Sequence, residues 1–175
     1  MVLQIEPIAQ TLKEQKEFHL SSGRETHSIL VTPQGRPFSQ EKARELSSKK
    51  AVLTLICGRY EGFDERLRSL VDEEISGGDF ICMGGEVITM TMIETISRLV
   101  PDVLGNQESA VHESFTQPML EFPQYTRPAS FEGMEVPEEL KSGNHKIIAQ
   151  WREEQALART KNRRPELLQC KTKIK

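Results

Sequence analysis

The feature that most constrains the fold is a stretch in which apolar segments alternate with glycine loops, at residues 51–99. Residues 51–57 (AVLTLIC) are apolar and partly β-branched, which is typical of a buried strand. Further strands are predicted at residues 71–75 and 80–83, and glycines follow each strand at residues 58–62, 76–79 and 84–85. Because ligands commonly bind at the carboxyl ends of strands in an open α/β sheet, these loops are the predicted binding site.

The remaining pattern predicts strands that alternate with helices. Helices are predicted at residues 6–18, 39–46, 63–70 and 86–100, and a strand at residues 28–32 is expected to end at Pro33-Gln-Gly35. The helix at 86–100 is apolar on most sides, so we expect it to be covered by protein. This alternation predicts an α/β fold with a mostly parallel sheet.

Composition and length place the chain in a broad class. A chain of 175 residues suits one domain, or a main domain with a small second one. The longest apolar runs are far shorter than the roughly 20 residues of a membrane span, and the first residues do not resemble a signal peptide. Three cysteines without metal-ligand spacing favour reduced thiols. We therefore expect a cytoplasmic protein without a membrane partner.

Charge is distributed unevenly along the chain. Residues 141–175 hold 10 basic and 3 acidic side chains, whereas residues 1–140 hold 13 basic and 23 acidic ones. Ser142 or Asn144 can cap a last long helix, on which Arg152, Arg159 and Arg163 share one face. A basic region on an acidic body suggests a polyanion partner, although a solvated helix surface has the same pattern.

The loops lack the signatures of phosphate binding. The sequence contains no Walker A motif and no Gly-x-Gly-x-x-Gly that opens a helix after a strand. A ligand without phosphates, held by backbone groups and apolar walls, fits these loops better.

A series of motifs in the same order resembles one known family. These motifs are Gly58-Arg-Tyr-Glu-Gly-Phe-Asp-Glu-Arg66, Asp72-Glu-Glu-Ile-Ser76, Gly78-Asp79, Gly84-Gly-Glu86, Val103-Leu-Gly-Asn106, Pro123-Gln-Tyr-Thr-Arg-Pro128, Ser142-Gly-Asn-His145 and Arg163-Arg-Pro-Glu-Leu167. Together they resemble the bacterial tRNA (guanine-N1)-methyltransferases, the TrmD family of the SPOUT superfamily. The match runs from the first residues to about residue 168.

The resemblance implies a fold and a domain organisation. The expected α/β fold is a trefoil-knotted SPOUT methyltransferase domain with a mostly parallel sheet, plus a small helical C-terminal domain. The implied boundaries are residues 1–105 for the knotted cofactor-binding domain, 106–117 for a flexible linker and 118–175 for the tRNA-binding domain. A knot cannot be read from periodicity, so this expectation rests on the family alone.

The resemblance also implies a site for S-adenosyl-L-methionine built from three loops. Glycines suit such a site because backbone approaches a ligand closely only where no Cβ intervenes. Without the resemblance, the same glycines are ordinary turn residues of an α/β sheet. The implied cofactor-binding residues are Leu30, Val31, Pro33, Gly35, Gly58, Glu61, Ser76, Gly77, Gly78, Asp79, Phe80, Ile81, Cys82, Gly84 and Gly85.

Methyl transfer to N1 of guanine requires a base, since N1 carries a proton at neutral pH. The resemblance implies Glu113 as this base and Arg98 as the cation that stabilises negative charge on O6. The family usually has aspartate where this chain has Glu113, and the neighbouring His112 is an alternative base. Both residues could also be solvated linker positions.

The implied function is methylation of N1 of the guanosine on the 3′ side of the anticodon of tRNA. The family further implies a homodimer, with Arg152, Arg159 and Arg163 on tRNA, and leaves a Mg²⁺ requirement open. Family members continue upstream of the position that matches Met1, with a strand, a helix and a glycine-rich loop. The alternative function is therefore a shortened cofactor- or RNA-binding remnant with weak or no turnover.

Overall fold

Strand β1 (Glu25–Pro37) is the centre of a three-stranded parallel sheet. Strand β2 (Ala51–Cys57) pairs with the first half of β1, in the register Glu25 with Ala51 to Val31 with Cys57. Strand β3 (Glu73–Ser76) pairs with the other edge of β1, so the order is β2-β1-β3. The predicted α/β class with a parallel sheet is thus confirmed.

The computed structural model describes residues 1–105 and 113–169. By its internal contacts the chain divides into two units, Met1–Gly105 and Asn106–Lys175. The helices of the first unit are α1 (Ile5–Ser21), α2 (Gln40–Ser48) and α3 (Glu86–Ser97), with a 3-10 helix at Glu65–Leu70. As its sequence predicts, α2 is capped by Ser39, whose hydroxyl accepts a hydrogen bond from the Lys42 backbone N–H.

The core of the first unit lies between the sheet and the helices α2 and α3. Side chains from β1, from β3 and from one side of each helix are buried together there. The buried members are Ile29, Val31, Ala43, Leu46, Ile75, Met92 and Ile96.

Three sequence predictions about secondary structure are wrong. Strand β1 does not end at Pro33-Gln-Gly35 but bulges there and resumes through Pro37. The helix predicted at 63–70 is a 3-10 helix that begins at Glu65. Residues 80–83 form no strand, because this segment is exposed and has no neighbouring strand with which to pair. Short apolar runs are ambiguous without their tertiary neighbours.

The helix predicted at 86–100 is covered by the rest of the first unit on one side only. Only one side of α3 is buried, by Met92, Ile96 and Thr89. On its other side Val87 and Met90 are 67% and 69% exposed. The helix is therefore apolar on a face that the first unit does not cover.

Polar side chains form hydrogen bonds and ion pairs at the amino end of the sheet. Nε2 of His27 lies 2.7 Å from Oε1 of Glu73, and Nζ of Lys42 pairs with the other oxygen of Glu73. Next to them, Oδ2 of Asp72 accepts hydrogen bonds of 2.7 Å from both the backbone N–H and the hydroxyl of Ser28. These contacts tie the start of β1 to the start of β3.

The second unit is built around one long helix, α5. Asn144, one of the two predicted capping residues, accepts hydrogen bonds from the backbone N–H groups of Lys146 and Ile147. Trp151, Ala156 and Thr160 are the buried residues of α5. The elements of this unit are β4 (Ser130–Phe131) and β5 (Met134–Glu135), which form an antiparallel hairpin, α4 (Glu138–Lys141), α5 (His145–Arg163) and α6 (Glu166–Gln169).

Candidate functional site

A cavity of about 570 Å³ opens where β2 and β3 end and where β1 bulges. Loops from three parts of the first unit form its walls, as expected for the carboxyl edge of a parallel sheet. The cavity is lined by residues 31–34, 58–63, 76–78 and 80–85, with Glu65, Arg68 and Ile88. The three predicted loops therefore meet at one site.

The bulge in β1 supplies the first wall. Val31 and Arg36 both align with Ile75 of β3, so the residues between them leave the ladder and turn toward the cavity. Gly35 is the last residue of the bulge and packs against the backbone of β3. A Cβ at Gly35 would lie 2.5 Å from the backbone nitrogen of Ile75, so glycine is required there by the neighbouring strand.

The start of α3 forms the second wall and is held by backbone contacts. The N–H of Gly85 donates a hydrogen bond of 2.9 Å to the carbonyl of Gly58, the first residue after β2. A Cβ at Gly85 would lie 3.2 Å from Cα of Cys57. Beside this junction, Sγ of Cys57 is 3.0 Å from the hydroxyl of Thr89. The end of β2 and the first turn of α3 are therefore in close contact.

The segment from Gly78 to Met83 forms an exposed apolar wall. Gly78 has φ +144°, a conformation that side-chain-bearing residues rarely adopt, and a Cβ there would meet the ring of Phe80 at 2.7 Å. Ile81 is 81% exposed and Met83 is 99% exposed. Exposed apolar side chains beside a cavity indicate a wall available to a ligand or a partner.

Both basic side chains that line the cavity are paired with acidic ones. Arg68 forms an ion pair with Glu74 and donates a hydrogen bond to the side-chain oxygen of Gln34. Arg59 forms an ion pair with Glu86 at the rim. The hydrogen bond that Arg59 donates to Glu86 holds the pKa of the Glu86 carboxyl below its ordinary value. Such paired cations are poorly suited to a phosphate group, which agrees with the expected phosphate-free ligand.

Twelve of the fifteen predicted cofactor-binding residues line this cavity. Leu30 does not, because its side chain is fully buried in the sheet, and Gly35 packs against β3 instead. Asp79 belongs to the third loop but is not part of the cavity wall. Sequence reasoning missed ten lining residues, which are Thr32, Gln34, Arg59, Tyr60, Gly62, Phe63, Glu65, Arg68, Met83 and Ile88. Most of these residues adjoin predicted ones, but Arg68 and Ile88 reach the cavity from helices.

The two predicted catalytic residues lie in different units. Arg98 is the C-cap of α3, and its backbone N–H donates to the carbonyl of Glu94 at 3.1 Å. Glu113 lines a cavity of about 440 Å³ in the second unit, with Leu120 and Arg152 among the other lining residues. His112, the alternative base, lies outside the described residues.

The three arginines that share one face of α5 have different surroundings. The Arg152 guanidinium carbon lies 4.7 Å from the centroid of the Phe122 ring. Arg159 is half-buried and donates a hydrogen bond of 3.3 Å to the carbonyl of Glu121, whereas Arg163 is exposed. The same face of α5 thus packs, in part, on residues of its own unit.

The described residues, 1–105 and 113–169, contain neither a candidate metal site nor a candidate membrane span. Within these ranges, no cluster of three or more His, Cys, Asp or Glu side chains could hold a metal ion. No helix among them is both long enough and apolar enough to cross a membrane. The free cysteines that the structure describes are Cys57 and Cys82.

The parallel sheet places the chain in the α/β class, in which the carboxyl edge of the sheet is a common position for small-molecule sites. The model of the family described as tRNA (Guanine-1)-methyltransferase TrmD matches residues 1–170. The chain belongs to this family, as its motifs predicted.

Curated relatives agree with the family model. A tRNA (guanine-N(1)-)-methyltransferase of Syntrophotalea carbinolica is 53% identical over 171 residues, which cover 97% of this chain and 66% of the relative. The protein of the same name from Symbiobacterium thermophilum is 61% identical over 141 residues, 81% of this chain and 57% of the relative. That of Staphylococcus haemolyticus is 53% identical over 169 residues, 96% and 66% respectively. The chain thus spans between half and two thirds of the length of these relatives.

Proposed function

We propose that this chain is an S-adenosylmethionine-dependent tRNA methyltransferase that modifies N1 of the guanosine on the 3′ side of the anticodon. The observation that carries the proposal is the cavity at the carboxyl edge of the sheet, which gathers twelve of the residues implied by the family motifs. The names of the relatives, tRNA (guanine-N(1)-)-methyltransferase, support the same reaction. The proposal includes the trefoil-knotted arrangement of the family and a cytoplasmic location.

The residues that line the cavity fit S-adenosylmethionine. The backbone at Gly58, Gly77 and Gly84 can approach the edges of an adenine. Ile88 and residues 80–83 provide apolar walls. Paired rather than free arginines suit a ligand without phosphates. When bound, this cofactor supplies an activated methyl group on a sulfonium centre. Leu30, Gly35 and Asp79 then act indirectly, by shaping the strands and loops.

In this proposal Glu113 and Arg98 perform the proton chemistry. The Glu113 carboxylate removes the proton from guanine N1, which leaves N1 with a lone pair that can act as the nucleophile. Negative charge develops on O6 as the proton leaves, and the guanidinium of Arg98 stabilises that charge. Both groups are effective only when the guanine is held in line with the methyl group, so docking of the tRNA precedes proton transfer.

The second unit is the proposed tRNA-binding domain. Its basic sequence supports contacts to RNA phosphates, which position the substrate without reading its sequence, and Arg152, Arg159 and Arg163 of α5 are its proposed tRNA-binding residues. Residues 106–117 are the proposed linker between the two domains. A requirement for Mg²⁺ in solution is left to direct measurement of activity with and without the ion.

We further propose that the active form is a homodimer. The face of α3 that carries Val87, Met90 and Ile93 is apolar and exposed, and a second copy would remove it from water. Sedimentation equilibrium at micromolar concentration tests this assembly, and a monomer throughout that range would contradict it.

Methyl transfer tests the proposed reaction directly. The full chain is incubated with an unmodified tRNA transcript and S-adenosylmethionine carrying a labelled methyl group, and incorporation at the target guanosine is measured. Glu113→Gln should reduce turnover about 100-fold or more while leaving tRNA and S-adenosylhomocysteine affinities nearly unchanged. Glu113→Asp should retain activity, since aspartate is the usual family residue. Glu139→Gln, an exposed site of the same unit, is the matched control.

Three outcomes would change this assignment. Full methylation by Glu113→Gln, combined with loss in His112→Ala, would make the histidine the base. Binding of S-adenosylhomocysteine and tRNA without any turnover by the parent chain would favour the binding remnant. No binding of S-adenosylhomocysteine would reject the proposed cofactor site.

A further inference from the structure

The second unit contains a cavity whose lining is aromatic and basic. It has a volume of about 610 Å³ and lies between the segment that begins at Phe122 and the helices α4 and α5. Its charged lining residues are Arg127, Lys141 and Arg152, and none of the residues that line it is acidic. A cavity with this charge favours a polyanion over an uncharged or acidic partner.

Arg152 is the residue that distinguishes this cavity from an ordinary basic surface. Its guanidinium carbon lies 4.7 Å from the centroid of the Phe122 ring, within the range of a cation–π contact, and its side chain is exposed. Within residues 1–105 and 113–169, no carboxylate forms an ion pair with Arg152. The ring therefore supports a guanidinium that remains accessible to a ligand.

A second aromatic side chain lines the same cavity. The ring of Tyr125 lies 6.2 Å from that of Trp151, with an angle of 57° between the ring planes. Trp151 is buried, whereas Tyr125 is 47% exposed. Tyr125 thus has one side anchored by the core of the unit and a surface left open beside Arg152.

We infer that Arg152, supported by Phe122, is a stacking platform for an unpaired nucleobase of the RNA substrate. Unpaired bases in RNA are bound on aromatic rings and on the planes of arginine guanidinium groups. A phosphate contact needs only a positive charge, but a guanidinium supported by an aromatic ring presents a flat surface that matches a base. This inference rests on the proposed function, because it requires that the chain binds tRNA.

The platform assigns Arg152 a role that differs from those of its neighbours on α5. Arg159 donates to the carbonyl of Glu121 within its own unit, and Arg163 is exposed. Arg127 lines the same cavity and supplies charge that holds the RNA backbone near the stacked base, whereas Lys141 is paired with Glu138. Arg152 itself contributes mainly a flat surface on which the base stacks.

Charge-conserving substitution separates stacking from a phosphate contact. The full chain and its variants are titrated with a fluorescently labelled tRNA transcript at several salt concentrations. Arg152→Lys should weaken binding about five- to tenfold with an unchanged salt slope, since lysine keeps the charge but has no plane on which a base stacks. Phe122→Leu should weaken binding similarly, because the guanidinium loses its support. Arg24→Lys, the same substitution at an exposed arginine of the first unit, is the control.

A second measurement identifies the stacked base. Transcripts with a single abasic position in the anticodon loop are titrated against the parent chain and against Arg152→Lys. One abasic position should weaken binding to the parent by the same factor as Arg152→Lys, and combining the two changes should cause no further loss. Circular dichroism of each variant verifies that it is folded.

The results that would overturn the platform are distinct from those that would overturn the proposed function. Parent-like affinity of Arg152→Lys, with a reduced salt slope in Arg152→Ala, would make Arg152 a phosphate contact. The platform would also be rejected if, at every abasic position, the loss of affinity simply added to the loss caused by Arg152→Lys. If the parent chain does not bind tRNA at all, both the platform and the tRNA-binding role are wrong.

Discussion

At the amino end of the sheet, polar side chains add contacts between β1 and β3, whereas at the carboxyl end glycines bring backbone directly against backbone. Glu73 at the amino end is about one-fifth exposed and is bonded to both His27 and Lys42. Burial acts to raise the pKa of its carboxyl, but the hydrogen bonds from Lys42 and His27 outweigh burial, and the pKa lies below its ordinary value. These groups are already paired with one another.

The carboxyl end has the opposite construction. Gly35 lies against the backbone of Ile75, and Gly85 lies against the backbone of Cys57. Close backbone packing leaves a cavity between the loops instead of a layer of paired charges. One end of this sheet is thus closed by paired polar side chains, and the other end leaves the cavity of the proposed cofactor site.

The largest effect is expected for Gly35→Ala, which tests whether Gly35 packs against β3 or contacts the ligand. A methyl group there would lie 2.5 Å from the Ile75 nitrogen, so Gly35→Ala must displace β3 or the bulge. We expect a loss of about 3 kcal/mol in the free energy of unfolding, measured by urea denaturation. Gly105→Ala is the control, because a Cβ at Gly105 meets nothing within 4 Å. Unchanged stability with weakened cofactor binding would instead make Gly35 a direct ligand residue.

The next prediction concerns binding at the carboxyl end. Gly78→Ala places a methyl group against the ring of Phe80 at a φ of +144°, and the apolar wall of the cavity must shift. Calorimetry should show S-adenosylhomocysteine binding weakened about tenfold, equivalent to about 1.4 kcal/mol. Glu73→Gln at the amino end should leave this affinity unchanged. Equal affinity in the parent and in Gly78→Ala would remove this segment from the proposed site.

The smallest effect is a pH dependence at the amino end. The hydrogen bond from the Ser28 backbone N–H is the largest cause that lowers the pKa of Asp72; with the Ser28 hydroxyl it outweighs burial. Because the folded pKa lies below the unfolded value of about 4, the unfolded state takes up the proton first as the pH falls. The stabilisation is therefore present above about pH 4 and is lost below it.

Asp72→Asn tests this dependence. The carboxyl is about half exposed, so solvent screening limits the expected cost at pH 7 to about 0.5–1 kcal/mol. The difference in unfolding free energy between the parent and Asp72→Asn should shrink as the pH is lowered from 5 to 3. A difference that stays constant over this range would show that the ionised carboxylate is not the stabilising form.

Local sequence signals located most of the secondary structure. Ser39 and Asn144 marked the starts of α2 and α5 because a capping side chain acts on backbone groups two or three residues away. The apolar run at 51–57 identified β2. The segment at 80–83 has a similar composition but is an exposed loop, since its neighbours in space offer no strand for pairing.

The sequence alone determined the family of this protein, the α/β class and the set of loops that line its cavity. Tertiary structure decided what each of these residues contacts. Gly35 and Gly58 look alike in the sequence, but one packs against the Ile75 backbone and the other adjoins the cavity. Likewise Arg152 and Arg159 share a helix face, but one lies over Phe122 and the other is bound to a carbonyl. The physical reason is that these contacts join residues distant in the chain, whereas local patterns report only nearby backbone and side-chain preferences.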